Sequence, residues 1–527
     1  MFARSCTRCV ARARPAFPRP QITPNRVQCR RYSGSAGAAT ASPAASSHAA
    51  GTLAPVVSEL DRLAPSFDIS GDRIQIIKTP TDFYETLKER IRKAKKRIFL
   101  STLYIGATEQ ELITTIQDAL RKNPELKLSI LTDALRGTRG APNPSCASLL
   151  APLVSEFGSD RVEIRMYHTP NLTGLRKKYI PQRINEGWGL QHMKLYGVDD
   201  EIILSGANLS SDYFSNRQDR YHLFSSPEVT NYFWNIHHGA TSFSFLVEPS
   251  TEASGFKLAW PETNSAPSPL EDPSGFVKST TKTVQSLLSR GNGSPAGEVK
   301  DTRVYMLGQM SQIMKPDHST ELPVLTHVLK TLSAPEYRGA SWTFTAGYFN
   351  PESSLTKLLL NTACQGNNTV ITASPQANGF YGSKGVSGML PPAYTLLARQ
   401  FLKTVNRQGR NEDITLKEWR KGTVGEPEGW TYHAKGLWVT MPGDANPSVS
   451  IIGSSNYTKR SYSLDLEVGA LIVTKNDKLK QNLGQEQSWL QDHTKNMTLD
   501  DFAKNDRRVG LKVRIAMWIV QLVGGAL

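Results

Sequence analysis

Gln191-His192-Met193-Lys194-Leu195-Tyr196-Gly197-Val198-Asp199, followed by Ser205-Gly206-Ala207-Asn208, is the stretch from which the rest of the chain can be read. Its pattern is H-x-K-x4-D, a gap, then G-x-N. A weaker copy lies downstream: His433-Ala434-Lys435, then Gly453-Ser454-Ser455-Asn456. One H-x-K triplet arises easily by chance; two in one chain, each followed by a Gly-Ser/Ala-Asn turn, do not. Asn208 to Asp219 is 11 residues, as is Asn456 to Glu467. His192 to His433 spans 241 residues and Asn208 to Asn456 spans 248, which implies a duplicated unit with a small insertion inside its second copy.

Two His, two Lys and two Asn suit phosphoryl transfer without a metal. One imidazole attacks phosphorus; the other protonates the leaving oxygen and later takes a proton from the acceptor. Lys194, Lys435, Asn208 and Asn456 would hold the equatorial oxygens, where the transition-state charge sits. Asp219 and Glu467 would each bond the far nitrogen of an imidazole and set its tautomer. Each copy supplies half a site, so the halves must face each other.

At 527 residues the chain can hold two large domains or a fused pair. No run of 18 or more apolar residues is present. The net charge of +15 points to an anionic partner: nucleic acid, a membrane surface or a phosphorylated substrate. Residues 1–32 carry eight Arg, no Lys and no acid, the composition of a mitochondrial targeting segment, and Arg30-Arg31-Tyr32-Ser33 resembles a matrix-protease site. Cleavage there would lower the charge from +15 by eight, to +7. The competing reading is a disordered basic arm. Of the five cysteines, Cys6, Cys9 and Cys29 lie in that tail, leaving Cys146 and Cys364, too few for a disulfide framework. No metal-ligand cluster is visible, so no cofactor and no tightly bound metal are expected.

Residues 33–60 read as low-complexity and disordered, with structure expected to begin near Ile74. A helix over 81–97, a strand over 98–103, a helix over 109–121 and a strand over 126–131 imply a parallel sheet with helices on its faces. After that strand, Arg136-Gly137-Thr138-Arg139 opens a loop where ligands of α/β sheets gather, and Arg matches phosphate geometry. Arg176, Lys177, Lys178 and Arg183 form a basic loop before the first motif. Residues 192–196 and 201–204 read as a hairpin turning at Asp199-Asp200. Residues 61–247 form a first half, the Pro/Ser/Thr/Gly-rich 248–300 a linker, and 301–498 a second half that repeats the plan. Residues 499–527 combine a basic flank with the apolar, Trp-containing 515–523, too short to span a bilayer but suited to lying in an anionic interface.

The paired His-x-Lys and Gly-x-Asn units resemble the phospholipase D superfamily. The wording of the first unit, the Arg136-Gly137-Thr138-Arg139 loop, His433-Ala434-Lys435-Gly436 and the basic-apolar C-terminus are similar to the mitochondrial CDP-diacylglycerol–glycerol-3-phosphate 3-phosphatidyltransferases. The resemblance covers roughly 60–527. It implies two α/β/α halves packed as a pseudo-dimer, with the active site at their interface. It also implies a reaction: His192 attacks the lipid-bearing phosphorus of CDP-diacylglycerol, His433 protonates departing CMP, and glycerol 3-phosphate accepts the phosphatidyl group. Arg136, Arg139 and the 176–183 loop become candidates for the acceptor's phosphate or that of CMP. Asp199 completes the first motif, where the superfamily's Asp has a structural role; the second copy has Thr440 there, which makes the first copy the nucleophile's expected home. An inner-membrane surface on the matrix side is the expected partner.

Related readings remain open at this level. The same motifs serve enzymes with serine, phosphatidylglycerol or water as acceptor. A phosphodiesterase acting on nucleic acid would need base-stacking aromatics beside the basic residues, for which Tyr179 and Trp188 are available; no nucleic acid is expected. An inactive lipid-binding scaffold is disfavoured by the presence of both His-Lys pairs and both Asn.

Overall fold

The computed structural model describes residues 47–181, 184–292 and 300–522. The expected targeting segment with its cleavage site, residues 33–46 and Arg183 lie outside the described residues.

Two nine-stranded mixed sheets carry the site. In the first, three parallel strands (Val162–Tyr167, Lys127–Asp133, Arg97–Ser101) are followed by four antiparallel ones (Leu195–Val198, Glu201–Ser205, Tyr221–Phe224, Ile74–Ile77). In the second, Ile414–Trp419, Asn368–Ala373 and Ser341–Ala346 are parallel, followed by Lys435–Thr440, Val449–Gly453, Glu467–Thr474 and Thr302–Gln309. These seven-strand series have the same order and sense, so the repeat heard in the motifs is a repeat of topology. The central strands are buried along their length, Lys127 at one strand's start excepted, and read as apolar runs because helices cover them. Helix Pro80–Arg92 is typical of that cover: Phe83, Leu87 and Ile91 share its inner face, and Thr79 caps it by accepting the Asp82 amide at 3.0 Å.

The halves share one apolar core. Met193, Leu195, Ile202 and Leu204 from the first pack in the same cluster as Ile452, Val468, Ala470 and Ile472 from the second. The seven extra residues of the second copy sit in its hairpin. Leu195 faces Leu204 across the two-residue turn Asp199-Asp200, whereas Leu437 faces Ile451 across the longer loop after Thr440.

Three boundary expectations are corrected. Residues 47–60 are not disordered filler: helix Ser47–Leu63 buries Leu53, Val56 and Leu60 against the second half's core. The first half does not start at 61, and structure starts before Ile74: strand Ser66–Ile69 pairs with Thr302–Gln309 of the second sheet. Residues 248–300 are not a free linker, because strands Phe245–Pro249 and Phe256–Ala259 extend the first sheet and helix Pro273–Leu287 buries Phe276 and Val284. Their Pro and Ser are N-caps and turns of short elements, a composition that also marks linkers. Among the described residues, no helix is long and apolar enough to cross a membrane.

Candidate active site

His192 does not lie within a strand as the hairpin reading expected; it sits just ahead of Leu195–Val198, where the chain leaves its own sheet and touches the other half. Gln191 bridges Leu466 in parallel, and the His192 amide donates to the Leu466 carbonyl at 2.9 Å. The next residue after Leu466 is Glu467, whose carboxylate accepts from His192 Nδ1, with Oε1 at 2.9 Å and Oε2 at 3.0 Å. The same arrangement recurs with the halves exchanged. Thr431 and Tyr432 pair with Arg217 and Gln218, the His433 amide donates to the Gln218 carbonyl at 2.8 Å, and His433 Nδ1 donates to Oδ2 of Asp219 at 2.7 Å. Each imidazole is therefore oriented by the acid of the opposite half, and its backbone is held by the residue just before that acid. This is the self-complementary contact of a two-fold dimer, built within one chain.

The Lys side chains stand behind the rings. Lys194 Nζ donates to the His192 carbonyl at 2.7 Å, and Lys435 Nζ donates to the His433 carbonyl at 3.0 Å while lying 3.6 Å from Asp219. Gly206 is required here, since a Cβ would stand 2.6 Å from Lys435 Nζ and 2.8 Å from Asp219 Oδ1. At the matching place in the second copy Ser454 donates its hydroxyl to Glu467. Asn208 and Asn456 line the cavity in front of the rings; Asn208 Nδ2 donates to the Tyr213 hydroxyl at 3.1 Å, leaving its buried Oδ1 without a partner.

Electrostatics differ between the pairs. Burial pushes Glu467 up to about 7, against the pull of Lys194, Ser454 and Lys435. Burial also acts on Asp219, but the charges of Lys435 and His433 outweigh it and hold that carboxyl below its ordinary value. Both imidazoles are pushed well down, chiefly by burial and next by Lys194 at His192 and Lys435 at His433. The Tyr213 and Tyr348 rings meet His433 edge-on at 5.3 and 5.2 Å.

A cavity of about 780 Å³ opens over both imidazoles. Arg136 and Arg139 line it, where the loop reading put them. Buried Asp133 accepts the amides of Arg136 and Gln191, each at 3.0 Å, joining that loop to the His192 segment. Two calls on the site are corrected. Arg176, Lys177 and Lys178 lie on the exposed helix Gly174–Tyr179 and do not line the cavity, because that helix packs no side chain inward. Asp199 is not at the reacting centre: its carboxylate accepts the amides of Lys95, Lys96 and Arg97 at 2.8, 2.7 and 3.1 Å, at the turn that strand Leu195–Val198 carries away from His192.

Several residues of the site escaped the sequence reading. Glu186 lines the cavity and pairs with both Arg136, at 3.4 Å, and Arg139. Arg217 and Arg460 also line it, paired with Asp212 at 2.7 Å and Asp465 at 3.0 Å. Beneath, fully buried Arg220 crosses from the first half to Glu486 at 2.8 Å, stacks on Trp438 and donates to the Lys435 carbonyl at 3.2 Å. Arg217 and Arg220 bracket Asp219 in sequence, the one available signal; Glu486 has none.

A family model described as "Cardiolipin synthase, PLD-like domain" matches residues 87–238. A solved structure, phosphatidylserine synthase of Haemophilus influenzae, superposes with a TM-score of 0.66 over 89% of this chain and 97% of its own, at 20% identity, which speaks to the fold alone. The CDP-diacylglycerol–glycerol-3-phosphate 3-phosphatidyltransferase of Saccharomyces cerevisiae is 44% identical over 87% of this chain and 89% of its own length. The mitochondrial enzyme of that name from Homo sapiens is 34% identical over 87% and 84%. With the phospholipase D-like fold, the crossed His–acid pairs and this extent of likeness in place, the chain belongs to the family of CDP-diacylglycerol–glycerol-3-phosphate 3-phosphatidyltransferases.

Proposed function

We propose that the protein transfers the phosphatidyl group of CDP-diacylglycerol to the primary hydroxyl of glycerol 3-phosphate, giving phosphatidylglycerophosphate and CMP. The carrying observation is the pair of crossed imidazole–carboxylate couples opening on one cavity. Nε2 of His192 attacks the lipid-bearing phosphorus, while His433 gives its proton to the departing CMP oxygen. A phosphatidyl-histidine remains on His192. Glycerol 3-phosphate then enters, His433 takes its hydroxyl proton, and the new P–O bond forms as the P–N bond breaks, so two displacements leave configuration retained. Asp219, held ionised by Lys435 and His433, opposes the burial that pushes His433 down and orients its ring for the acid's role. Glu467, titrating near neutrality, leaves His192 closer to the neutral nucleophile. Asn208, Asn456 and the two Lys serve the phosphoryl oxygens, and Arg136 and Arg139 the second phosphate.

The mitochondrion is the proposed location, with the chain on the matrix face of the inner membrane and the helix Leu511–Leu522 lying against it. That helix leaves Trp518 exposed. The experiment offers labelled CDP-diacylglycerol with glycerol 3-phosphate, serine, phosphatidylglycerol or water in turn. Phosphatidylglycerophosphate as the main product is expected; a preference for serine would overturn the acceptor assignment. Without acceptor, labelled CMP should exchange into CDP-diacylglycerol, and its failure to do so would remove the covalent intermediate.

A further inference from the structure

Large apolar side chains left exposed among the described residues occur in three segments only. Leu175, Tyr179 and Ile184 form the first, at 73, 70 and 45% exposure; Tyr381 and Val386 form the second, at 42 and 61%; the C-terminal helix is the third. Ile184 from the first half and Val386 from the second both line the cavity that holds the imidazoles. The C-terminal helix packs on Leu390–Arg407 further along, near Arg399, and none of its residues lines the cavity. One exposed apolar residue from each half, Ile184 and Val386, therefore stands at the opening, with further exposed apolar residues next to each in sequence.

The charge pattern has one sign. Residues 171–184 contain Arg176, Lys177, Lys178 and Arg183 and no acid; residues 353–411 contain neither Asp nor Glu; residues 507–522 contain Arg507, Arg508, Lys512 and Arg514 and no acid. Helix Gly174–Tyr179 buries none of its side chains. Six residues are too few to hold a helix in water by propensity alone, so an apolar-basic turn of this kind lacks a partner that would order it. An interface of anionic headgroups over acyl chains supplies one: Leu175 and Tyr179 enter it while the adjacent cations stay at headgroup level.

We propose that the cavity mouth is a docking face for an anionic phospholipid leaflet, with the Gly174–Tyr179 helix of the first half and the Tyr381–Val386 segment of the second entering the bilayer beside the opening. The proposal rests on the reading of the cavity as the site of a reaction on a lipid headgroup. A diacyl substrate need not then be lifted into water, because the opening meets the reactive phosphate at the depth where it lies. The basic residues of 176–178, which the structure removes from the cavity, serve attachment rather than substrate phosphate.

The test uses the full chain, sedimented with phosphatidylcholine vesicles with or without phosphatidylglycerol and no substrate. Binding should require phosphatidylglycerol. A Leu175→Ser/Tyr179→Ser variant should lose on the order of tenfold in vesicle affinity, the scale of two partly buried apolar side chains. A Tyr381→Ser variant, in the second segment but outside the cavity lining, should lose less but in the same direction. Activity on CDP-diacylglycerol dispersed in detergent should stay unchanged in these variants, and their circular dichroism should match the parent. Vesicle affinity unchanged in both variants would overturn docking while leaving the reaction standing. Loss of all detergent activity in the parent chain would remove the reaction while leaving docking measurable. A dimer in solution that the same substitutions dissociate, or single-stranded DNA bound in their place, would also overturn it.

Discussion

His192 Nδ1 lies 2.9 Å from Oε1 of Glu467, a residue 275 positions later and in the other half of the molecule. His433 has the reciprocal relationship with Asp219 at 2.7 Å. Neither half can therefore orient its own imidazole, and the competence of the site depends on the interface as much as on the motifs.

The two acids should be separable by substitution. Asp219→Asn and Glu467→Gln keep the shape of each couple and remove the charge that supports the imidazolium. Each should lower kcat by about 10²–10⁴-fold with the fold intact. In CMP exchange without acceptor, Asp219→Asn should slow leaving-group protonation. Steady-state and exchange rates on both variants, set against circular dichroism, check this; a fall of less than threefold in either would remove that acid from the mechanism.

Activity should have an acidic limb near pH 7. Burial raises Glu467 from its ordinary 4.5 to about 7, so its carboxylate protonates as pH falls through that value and stops accepting from His192. The stability sign is opposite. A raised carboxyl favours the folded state fully below the unfolded pKa, and this contribution is lost as pH rises through about 7. A pH–rate profile should bend near 7 in the parent and lose that bend in Glu467→Gln, while Asp219→Asn keeps it.

Arg220 and Glu486 should matter for stability. Their buried pair joins the halves, with His222 on the same carboxylate at 2.9 Å and Trp438 beneath the guanidinium. Arg220→Met alone strands Glu486, held down to about 2 by Arg220 and His222 against the burial that would raise it, and should cost about 3–5 kcal/mol. Arg220→Met/Glu486→Leu should recover part of that loss. Urea unfolding of the single and double variants measures it.

Glu186 should weaken substrate binding in the parent. It neutralises Arg136 and Arg139 inside the cavity, where an incoming phosphate would compete with it. Glu186→Gln should lower KM for the phosphate-bearing substrate, by no more than about fivefold, the scale of a partly exposed ion pair at ~1 kcal/mol. kcat should stay put. A raised KM would mean that Glu186 holds the two arginines in their productive positions.

The two His–Lys pairs were legible as candidates because phosphoryl chemistry calls for those residue types, and the repeat because two equal 11-residue spacings leave little room for coincidence. Other features misread for definite reasons. The helix expected over 81–97 ends at Arg92: the amides of Lys93 and Ala94 close its last turn, and those of Lys95 to Arg97 are taken by Asp199 from a distant turn. The basic run 176–178 reads the same whether it faces a cavity or a solvent-exposed surface. Residues 248–300 carry the composition of a linker because short strands and helix caps draw on the same residues.

By itself the sequence determined the family, the candidate side chains, how many halves there are, and that the halves are α/β. Those are properties of residue type and spacing, which are local or repeat at a fixed interval. Only the tertiary structure decided which acid serves which imidazole, that residues 66–69 join the second sheet, and that Arg136 and Arg139 face the cavity while Arg176 to Lys178 do not. These depend on how two sheets pack across one shared core, and packing of that kind leaves no period in the chain for a sequence reading to find.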